Sequence, residues 1–350
     1  MKHRYLYIVF LIGFLHLIHG SPAVENLSDA EDQLQNLSQN QLQNAPDISA
    51  ELVPIPENAF FPGFIIAEDR LYPGSLFEAF MPYTEEEPAL YIMDGEKILY
   101  VIPPVPVDDI ENFEPFLYFL QGLDSTVSPG NYQLRIKTQE SDRILHEYYI
   151  EIYPRDFHSE EIMLNTKLTG IRTDASDRRI NEGRELIELL ETVKNSSRFM
   201  LGSSDRRHPL QNIVYTSFFG DRRVYVYDNG NTATSIHNGL DYRGGVGETI
   251  FSPFNGRVRM AKDRIVTGNT VILEHLPGTY SLYYHLSSMD VAPGDDVIIG
   301  DVLGTIGDTG LATGPHLHWE IRVRGVAVDP EIFLEGVLLD REGLSDILSR

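Results

Sequence analysis

The chain of 350 residues contains no cysteine, and basic residues are scarce in it. Without cysteine it can form no disulfide, and it lacks the thiol that a bacterial lipoprotein signal needs after its apolar segment. The 28 lysine and arginine residues are outnumbered by 52 acidic residues, which gives a net charge of −24. Because binding to nucleic acid needs a basic surface, this charge argues against a nucleic-acid partner.

Residues 1–23 have the pattern of a secretory signal peptide. Basic residues at positions 2–4 precede an apolar run at 5–18, and the small residues at 20–23 suit cleavage. A helix that spans a bilayer needs about 20 apolar residues, so cleavage is favoured over a permanent anchor. Together with the absence of cysteine, this predicts an exported protein of a bacterial envelope, periplasmic or secreted. We expect no lipid anchor, and no transmembrane segment after cleavage.

The acidic side chains are concentrated in the first half of the chain. Residues 24–204 carry 13 basic and 33 acidic side chains, a net charge of −20, whereas residues 205–334 carry 11 and 15, a net charge of −4. No polar cluster in the acidic half resembles a catalytic site. We therefore expect that half to position the protein or to bind a partner protein of the envelope.

The first half also changes composition along its length. Residues 24–50 are rich in Gln, Asn, Ser and acidic residues, which predicts a polar, low-complexity linker. Residues 51–157 contain short aromatic and β-branched runs separated by Pro and Gly turn signals, which predict strands. The clearest runs cover 60–66, 90–93, 98–102, 132–137 and 147–153. An immunoglobulin-like β-sandwich is the expected fold, although the spacing does not define its topology.

Residues 158–202 are predicted to form a helical connector between two domains. Its main helix is expected over 174–193, with Ser176 as the N-cap residue. Three- and four-residue intervals place one set of side chains on a single face, predicted to pack inward. This set is Ile180, Gly183, Ile187, Leu190 and Lys194.

Residues 203–334 are again rich in glycine and in strand-forming residues, so the chain as a whole is predicted to be mainly β. Asp329 and Pro330 have the pattern of the cap and first residue of a short closing helix. The only tryptophan, Trp319, is expected to be a core residue behind its strand. Residues 335–350 are predicted to form a helical tail.

The recognisable chemistry lies in two short segments of this last part. Side chains alternate between the faces of a strand, so His316 and His318 point to one side, as do His237 and Asp241 if their segment is extended. Two imidazoles and one carboxylate suit Zn²⁺ and leave one coordination position open. His285 follows a third strand-like run. Each histidine alone is more often structural, but the combination indicates a catalytic metal site.

The order of the motifs supports this reading, because it resembles a known family over residues 218–334. The segments that carry the resemblance are FGDRR at 219–223, HNGLD at 237–241, FSPFNGRV at 251–258, YHLS at 284–287, PGD at 293–295, GDTG at 307–310 and GPHLHWE at 314–320. Together they resemble the lysostaphin-type, or LytM-domain, zinc metallopeptidases, which cut peptidoglycan cross-bridges. The resemblance implies a lysostaphin-like antiparallel β catalytic domain at 203–334.

Carried over residue by residue, the family pattern implies roles for all five residues. His237, Asp241 and His318 would be the zinc ligands, and His316 and His285 the catalytic pair, with the general base of the two left open. The tyrosine that lysostaphin-like enzymes of thick-walled bacteria have before the first ligand is missing. Arg222 and Arg223 are candidates to supply positive charge near the substrate instead.

The expected function is therefore a zinc-dependent metalloendopeptidase that hydrolyses peptide cross-links or stems of peptidoglycan. The alternative is a catalytically silent envelope protein that binds peptidoglycan or activates another hydrolase. Such relatives typically lack one or more ligands, whereas this chain has all five residues. An adhesion or assembly role of the acidic half stays open as an addition. For the bond, a D-Ala cross-link is favoured over a glycine bridge, because no basic wall-binding module is recognisable.

Overall fold

A computed structural model of the chain describes residues 64–67, 70–86, 88–108, 114–138, 144–193 and 207–335, which belong to one unit of the fold. The predicted signal peptide, the polar linker and nearly all of the predicted tail lie outside these ranges. No helix within them is long and apolar enough to cross a bilayer.

Eight strands form two four-stranded sheets in the first part of the chain. They are β1 (Ile65–Ile66), β2 (Leu76–Pro82), β3 (Pro88–Asp94), β4 (Lys97–Ile102), β5 (Val105–Val107), β6 (Phe116–Gly122), β7 (Gly130–Thr138) and β8 (Ile144–Ile152). The sheet orders are β1-β2-β6-β5 and β4-β3-β7-β8. The predicted runs at 90–93, 98–102, 132–137 and 147–153 are confirmed as strands. Of the run at 60–66, only the last residues lie in the described part.

The two sheets share an apolar core. Phe77 and Phe119 from one sheet belong to the same buried cluster as Ile92 and Leu134 from the other. Side chains of β7 alternate between buried and half-buried positions, as expected for a strand with one face on this core. A two-sheet packing is thus present, whereas the immunoglobulin-like assignment stays a prediction.

The predicted connector contains two helices and, contrary to its description as helical, a strand. The elements are β9 (Ser159–Met163), α1 (Thr166–Thr173) and α2 (Asp177–Glu191). The Ser176 side chain accepts a hydrogen bond from the Arg179 N–H, which confirms the predicted cap. The strand β9 was obscured because three polar residues begin it, and Glu160 holds a half-buried position at which an apolar side chain would have indicated a strand.

The inward face of α2 was predicted correctly at Leu190 and wrongly at Ile180. Ile180 is 48% exposed, whereas Glu182 and Leu190 are buried. The Glu182 carboxylate accepts hydrogen bonds from the Ile265 N–H at 2.8 Å and from Arg178 at 2.7 Å. A carboxylate with such partners can face inward, and hydrophobic periodicity does not reveal it.

The remaining elements form the last part of the chain. The strands are β10 (Tyr215–Ser217), β11 (Arg222–Val226), β12 (Thr232–Ile236), β13 (Gly239–Arg243), β14 (Thr249–Phe251), β15 (Gly256–Arg264), β16 (Gly268–Leu276), β17 (Thr279–Met289), β18 (Asp296–Val297), β19 (Val302–Ile306), β20 (His316–Val323) and β21 (Val326–Val328), followed by α3 (Pro330–Glu335). Ten strands form one antiparallel sheet. Seven follow the path β10-β13-β20-β17-β16-β15-β18, and the other three lie off this path, where β19 pairs with β17 and β14, and β21 pairs with β20. The strands β12-β11-β9 form a small separate sheet. The mainly β fold class is confirmed.

Two local predictions in this part are confirmed. Trp319 is fully buried, and its ring lies 6.2 Å from that of Tyr242 and 6.4 Å from that of Phe254. The Asp329 carboxylate accepts a hydrogen bond from the Glu331 N–H at 3.1 Å, so it caps the helix that begins at Pro330.

The sheet β1-β2-β6-β5 is buried on both of its faces. Leu76, Phe80 and Tyr118 belong to the cluster of buried residues that includes Tyr242 and Trp319 of the ten-stranded sheet. A strand covered on both sides has no solvent-facing side, which explains the largely apolar sequences of β2 and β6. The buried exception in β2 is Glu78, whose carboxylate accepts a hydrogen bond from the Tyr118 hydroxyl. Arg324 reinforces this contact by donating a hydrogen bond from Nε to the Leu120 carbonyl at 2.8 Å.

The surroundings of Gly122 show how tightly β6 packs against β21. A Cβ atom at this position would lie 2.7 Å from Cγ1 of Val328 and 3.1 Å from Cβ of Val326. We expect Gly122→Ala to destabilise the protein by about 1–3 kcal/mol, because both valines are stiff and must shift. The free energy of unfolding in urea measures this.

Gly183 provides the matched control for the same change. It lies in the middle of α2, and nothing lies within 4 Å of a Cβ placed there. Gly183→Ala should stabilise the protein by about 0.5–1 kcal/mol, because glycine is a poor helix former. Equal effects of the two substitutions would contradict the tight contact at Gly122.

Candidate metal centre

Three strands and one loop bring the five predicted residues together. In the antiparallel pair of β13 and β20, Asp241 stands directly opposite His318. His237 directly follows the end of β12 and lies two residues before the start of β13, while His285 lies in β17, the other neighbour of β20. His316 lies two residues before His318, on the same face of β20.

His237, Asp241 and His318 converge on one point. Oδ1 of Asp241 is 2.7 Å from Nδ1 of His318 and 3.1 Å from Nε2 of His237, and the two ring nitrogens are 2.9 Å apart. All three residues are buried. Among the described residues they form a group whose donor atoms lie close enough together to hold a metal ion.

The surrounding hydrogen bonds determine which ring nitrogens face this point. Nδ1 of His237 lies 2.7 Å from the Phe218 carbonyl oxygen, and Nε2 of His318 lies 2.9 Å from a carboxylate oxygen of Glu320. These oxygens accept hydrogen bonds, so each of these nitrogens carries the proton. The opposite nitrogens therefore present lone pairs to each other and to Asp241. Three acceptors this close repel one another unless a cation lies between them, so the donor set fits a bound metal ion.

The pKa shifts agree with a site that attracts a cation. Burial lowers the pKa of His237, which favours the neutral form that binds metals. Burial opposes ionisation of Asp241, but the two neighbouring histidines hold its pKa well below the usual value. Burial also lowers the pKa of His318, but Asp241 and Glu320 outweigh it and raise the pKa to about 9, so a proton on Nδ1 competes with a metal ion for the position between the three groups.

His316 and His285 stand beside the three donors. Nε2 of His316 lies 3.8 Å from Oδ1 of Asp241, and the rings of His316 and His285 are 4.8 Å apart. Nδ1 of His316 donates to the Gly314 carbonyl at 2.8 Å, and Nδ1 of His285 donates to the Thr309 carbonyl at 2.7 Å. Each ring therefore has Nε2 as its basic nitrogen. Burial and the adjacent His316 and His318 lower the pKa of His285 to about 3, so it is neutral.

His285 has an uncommon backbone conformation, with φ of 65°. For a residue other than glycine, this left-handed backbone conformation costs roughly 1–2 kcal/mol of conformational free energy. Residues held in such conformations cluster at functional sites. The conformation is held by hydrogen bonds from its N–H to the Thr267 carbonyl and from its ring to the Thr309 carbonyl. Gly268 lets the Thr309 segment approach, since a Cβ there would lie 2.5 Å from the Thr309 carbonyl carbon.

The two arginines proposed from the sequence have protein partners. Nη2 of Arg223 donates to Oδ2 of Asp241 at 2.7 Å, and its Nε donates to Glu160 at 2.6 Å. The Arg222 guanidinium donates to the Ser125 carbonyl at 2.8 Å and lies over the ring of Phe157. Arg223 is thus bonded to one of the three converging residues, and Arg222 reaches a loop of the first part of the chain.

The partners that orient the five residues were not predicted from the sequence. Glu320 could have been found, because it lies two residues after His318 and hence on the same face of β20. Glu160 could not, because 63 residues separate it from Arg223 and no motif contains it. Thr309 acts through its backbone carbonyl, which leaves no trace in the residue type.

Two buried imidazoles and a carboxylate on an antiparallel sheet, with two more histidines beside them, are the kind of donor set and neighbouring bases that metal-dependent hydrolases use. The comparison with protein families agrees. Residues 235–330 match the family model described as Peptidase family M23, so this segment is similar to that family.

Curated proteins similar to this chain include two named endopeptidases. One is the DD-carboxypeptidase/endopeptidase Mpg of Neisseria meningitidis serogroup B, 38% identical over 95 residues, 27% of this chain and 22% of that protein. Another is the peptidoglycan DD-endopeptidase ShyA of Vibrio cholerae, 30% identical over 173 residues, 48% of this chain and 39% of that protein. The chain thus spans less than half of either relative.

A similarity to a solved structure extends over more of the chain. A Pseudomonas aeruginosa protein assigned to peptidase M23 aligns with a TM-score of 0.52 and 24% identity, covering 77% of this chain and 96% of that one. At this identity the similarity shows a shared fold.

Proposed function

We propose that this chain is a zinc-dependent metalloendopeptidase that hydrolyses peptide cross-links or stems of bacterial peptidoglycan. The observation that carries the proposal is the convergence of His237, Asp241 and His318, with two further imidazoles beside them. The similarity to peptidase family M23 and the names of the relatives from Neisseria and Vibrio support the reaction and the substrate class.

Zinc is the proposed metal, held by His237, Asp241 and His318. Two imidazole nitrogens and one carboxylate oxygen form a typical catalytic zinc set, which leaves one position for a water or the substrate. Zinc bound there would supply Lewis acidity, which makes water more acidic and polarises a carbonyl group. Glu320 and the Phe218 carbonyl keep the two ligand rings in the required tautomers.

His316 and His285 would handle the protons of the reaction. Their Nε2 atoms are the basic nitrogens, and burial keeps His285 neutral at physiological pH, so its Nε2 can accept a hydrogen bond from water. One of the pair would take a proton from the attacking water, and the proton would return to the amine of the leaving peptide. The other ring, when it carries a proton, would donate a hydrogen bond to the oxygen of the attacked carbonyl.

Export and domain organisation are part of the proposal. We infer a cleaved signal peptide at 1–23, a linker at 24–50, an immunoglobulin-like sandwich at 51–157, a connector at 158–202 and the peptidase domain at 203–334. The protein would act in the periplasm or outside the cell. Its acidic first half would bind an envelope partner, in keeping with the net charge of −20 over residues 24–204.

The bond proposed to be cut is a D-Ala cross-link. The names of the relatives support it, since both contain the designation DD. The test is digestion of purified sacculi whose cross-links are D-Ala linked, followed by mass spectrometry of the released fragments. Cross-linked dimers should decrease as monomers increase. A chelator should stop the reaction, and added Zn²⁺ should restore it.

His237→Ala serves as the inactive control in this digestion. Release by the wild-type chain and not by this variant supports the proposal. Failure of the zinc-loaded wild type to release any fragment would contradict it and favour a silent peptidoglycan-binding protein. Cleavage of glycine bridges alone would overturn the choice of bond.

A further inference from the structure

We propose that Glu160 is a positioning residue of the metal centre, which it reaches through Arg223 and Asp241. Glu160 lies in β9, in the connector, and outside residues 235–330 that match the peptidase family model. The inference rests on the proposed function in one respect, the assignment of Asp241 as a metal ligand. It adds that a segment before the peptidase domain controls this ligand.

The contact depends on an unusual strand pairing. β9 pairs with β11 in parallel, and this register places Glu160 beside Arg223. Oε1 of Glu160 accepts hydrogen bonds from Nε of Arg223 at 2.6 Å and from the Ser217 hydroxyl at 2.7 Å. Nη2 of Arg223 donates to the same hydroxyl oxygen at 2.7 Å. Arg223 is therefore held in place by two partners besides Asp241.

The second oxygen of Asp241 is occupied by this arginine. Nη2 of Arg223 lies 2.7 Å from Oδ2, whereas Oδ1 faces His237 and His318. A carboxylate is free to rotate about its last bond, and the hydrogen bond to Arg223 determines which oxygen points to the metal position. Asp241 is therefore expected to offer only Oδ1 to the cation.

An arginine beside a metal ligand also has an electrostatic cost. Its side chain is only 12% exposed, and its permanent charge would repel a divalent cation bound by the same carboxylate. Glu160 offsets that charge from the far side of the guanidinium. We therefore assign Glu160 two tasks, to hold Arg223 in position and to keep its charge from weakening metal binding.

Glu160→Gln tests the charge with little change of shape. Glutamine keeps an oxygen that accepts from Arg223 but has no charge. Residues that support metal ligands typically change metal affinity by about 10- to 100-fold, and we expect a loss of that size in competition with a chelating dye. The zinc concentration for half-maximal sacculus digestion should rise by the same factor, while KM at saturating zinc stays unchanged.

Glu161→Gln is the matched control. Glu161 is the next residue of β9, is exposed, and points to the opposite face, so its substitution makes the same change in net charge. It should leave zinc affinity within about twofold of the wild-type value. Glu160→Asp keeps the charge and should recover most of the affinity lost in Glu160→Gln.

A double-mutant cycle with Arg223→Gln isolates the mechanism. Once the guanidinium is removed, Glu160→Gln should weaken zinc binding by no more than about threefold, because no charge remains to be offset. Thermal unfolding of the metal-free variants separates a specific loss of zinc affinity from a general loss of structure. A general loss of structure would lower the melting temperature of Glu160→Gln below that of the wild type, whereas the proposed role predicts a change in zinc affinity alone.

The outcomes distinguish this inference from the proposed function. If the wild type binds zinc and digests sacculi while Glu160→Gln binds zinc equally well, the role of Glu160 is overturned and the proposed function stands. If Glu161→Gln loses as much affinity as Glu160→Gln, the effect is one of net charge and the inference also fails. If the wild-type chain binds no zinc, the proposed function itself is wrong.

Discussion

Replacing Asp241 by asparagine is expected to abolish hydrolysis of peptidoglycan and to remove most of the bound zinc. Asp241 is the only carboxylate among the three converging residues, and an amide would leave the cation with neutral ligands. The metal contributes several kcal/mol of transition-state stabilisation, and about 1.4 kcal/mol corresponds to tenfold, so kcat/KM should fall by at least about 10³-fold.

Zinc content by mass spectrometry and the rate of sacculus digestion measure this effect. Asp263→Asn is the matched control, since the Asp263 side chain is 65% exposed and pairs with Arg178 on the surface. It should retain full zinc content and full rate, because an exposed ion pair contributes little. An Asp241→Asn protein with stoichiometric zinc and normal turnover would contradict the assignment of the ligands.

Removing either unligated imidazole is expected to reduce turnover while leaving the metal bound. A positioned acid or base typically contributes about 10²- to 10⁴-fold, and kcat should fall by that factor in His316→Ala and in His285→Asn. Asparagine is the better replacement at 285, because it tolerates the left-handed backbone found there. Zinc stoichiometry and KM should stay close to the wild-type values.

A comparison of the two variants also identifies the general base. The variant that lacks the base should lose the rise of kcat with pH, whereas the variant that lacks the other ring should keep this profile at a reduced rate. Loss of zinc from either variant would instead make the missing histidine a ligand. Normal turnover in both would remove the pair from the proposed reaction.

The candidate site was accessible from sequence because its residues lie in short motifs. The two-residue spacing of His316 and His318 placed both on one face of a strand, and the structure has them in β20. That Asp241 stands opposite His318 depends on the pairing of distant strands, which residue types do not specify. The left-handed φ of His285 was also hidden, because histidine does not signal such a conformation.

The fold was predictable where local pattern and environment agree. The alternating sequence of β7 identified a strand with one buried face, and Ser176 identified the start of α2. Prediction was wrong where a charged group is buried with partners from far along the chain, as Glu182 is in α2. The strand β9 was missed for a related reason, since the half-buried Glu160 is paired with a distant arginine.

The double-sided burial of the sheet β1-β2-β6-β5 has a practical consequence for truncated proteins. An excised fragment covering only residues 203–334 would expose to water the apolar patch that Leu76, Phe80 and Tyr118 cover in the whole chain. Large exposed apolar patches promote aggregation. Such a fragment should precipitate or self-associate at concentrations where the longer protein stays monodisperse, and solubilising substitutions would belong at Val326 and its neighbours rather than near the histidines.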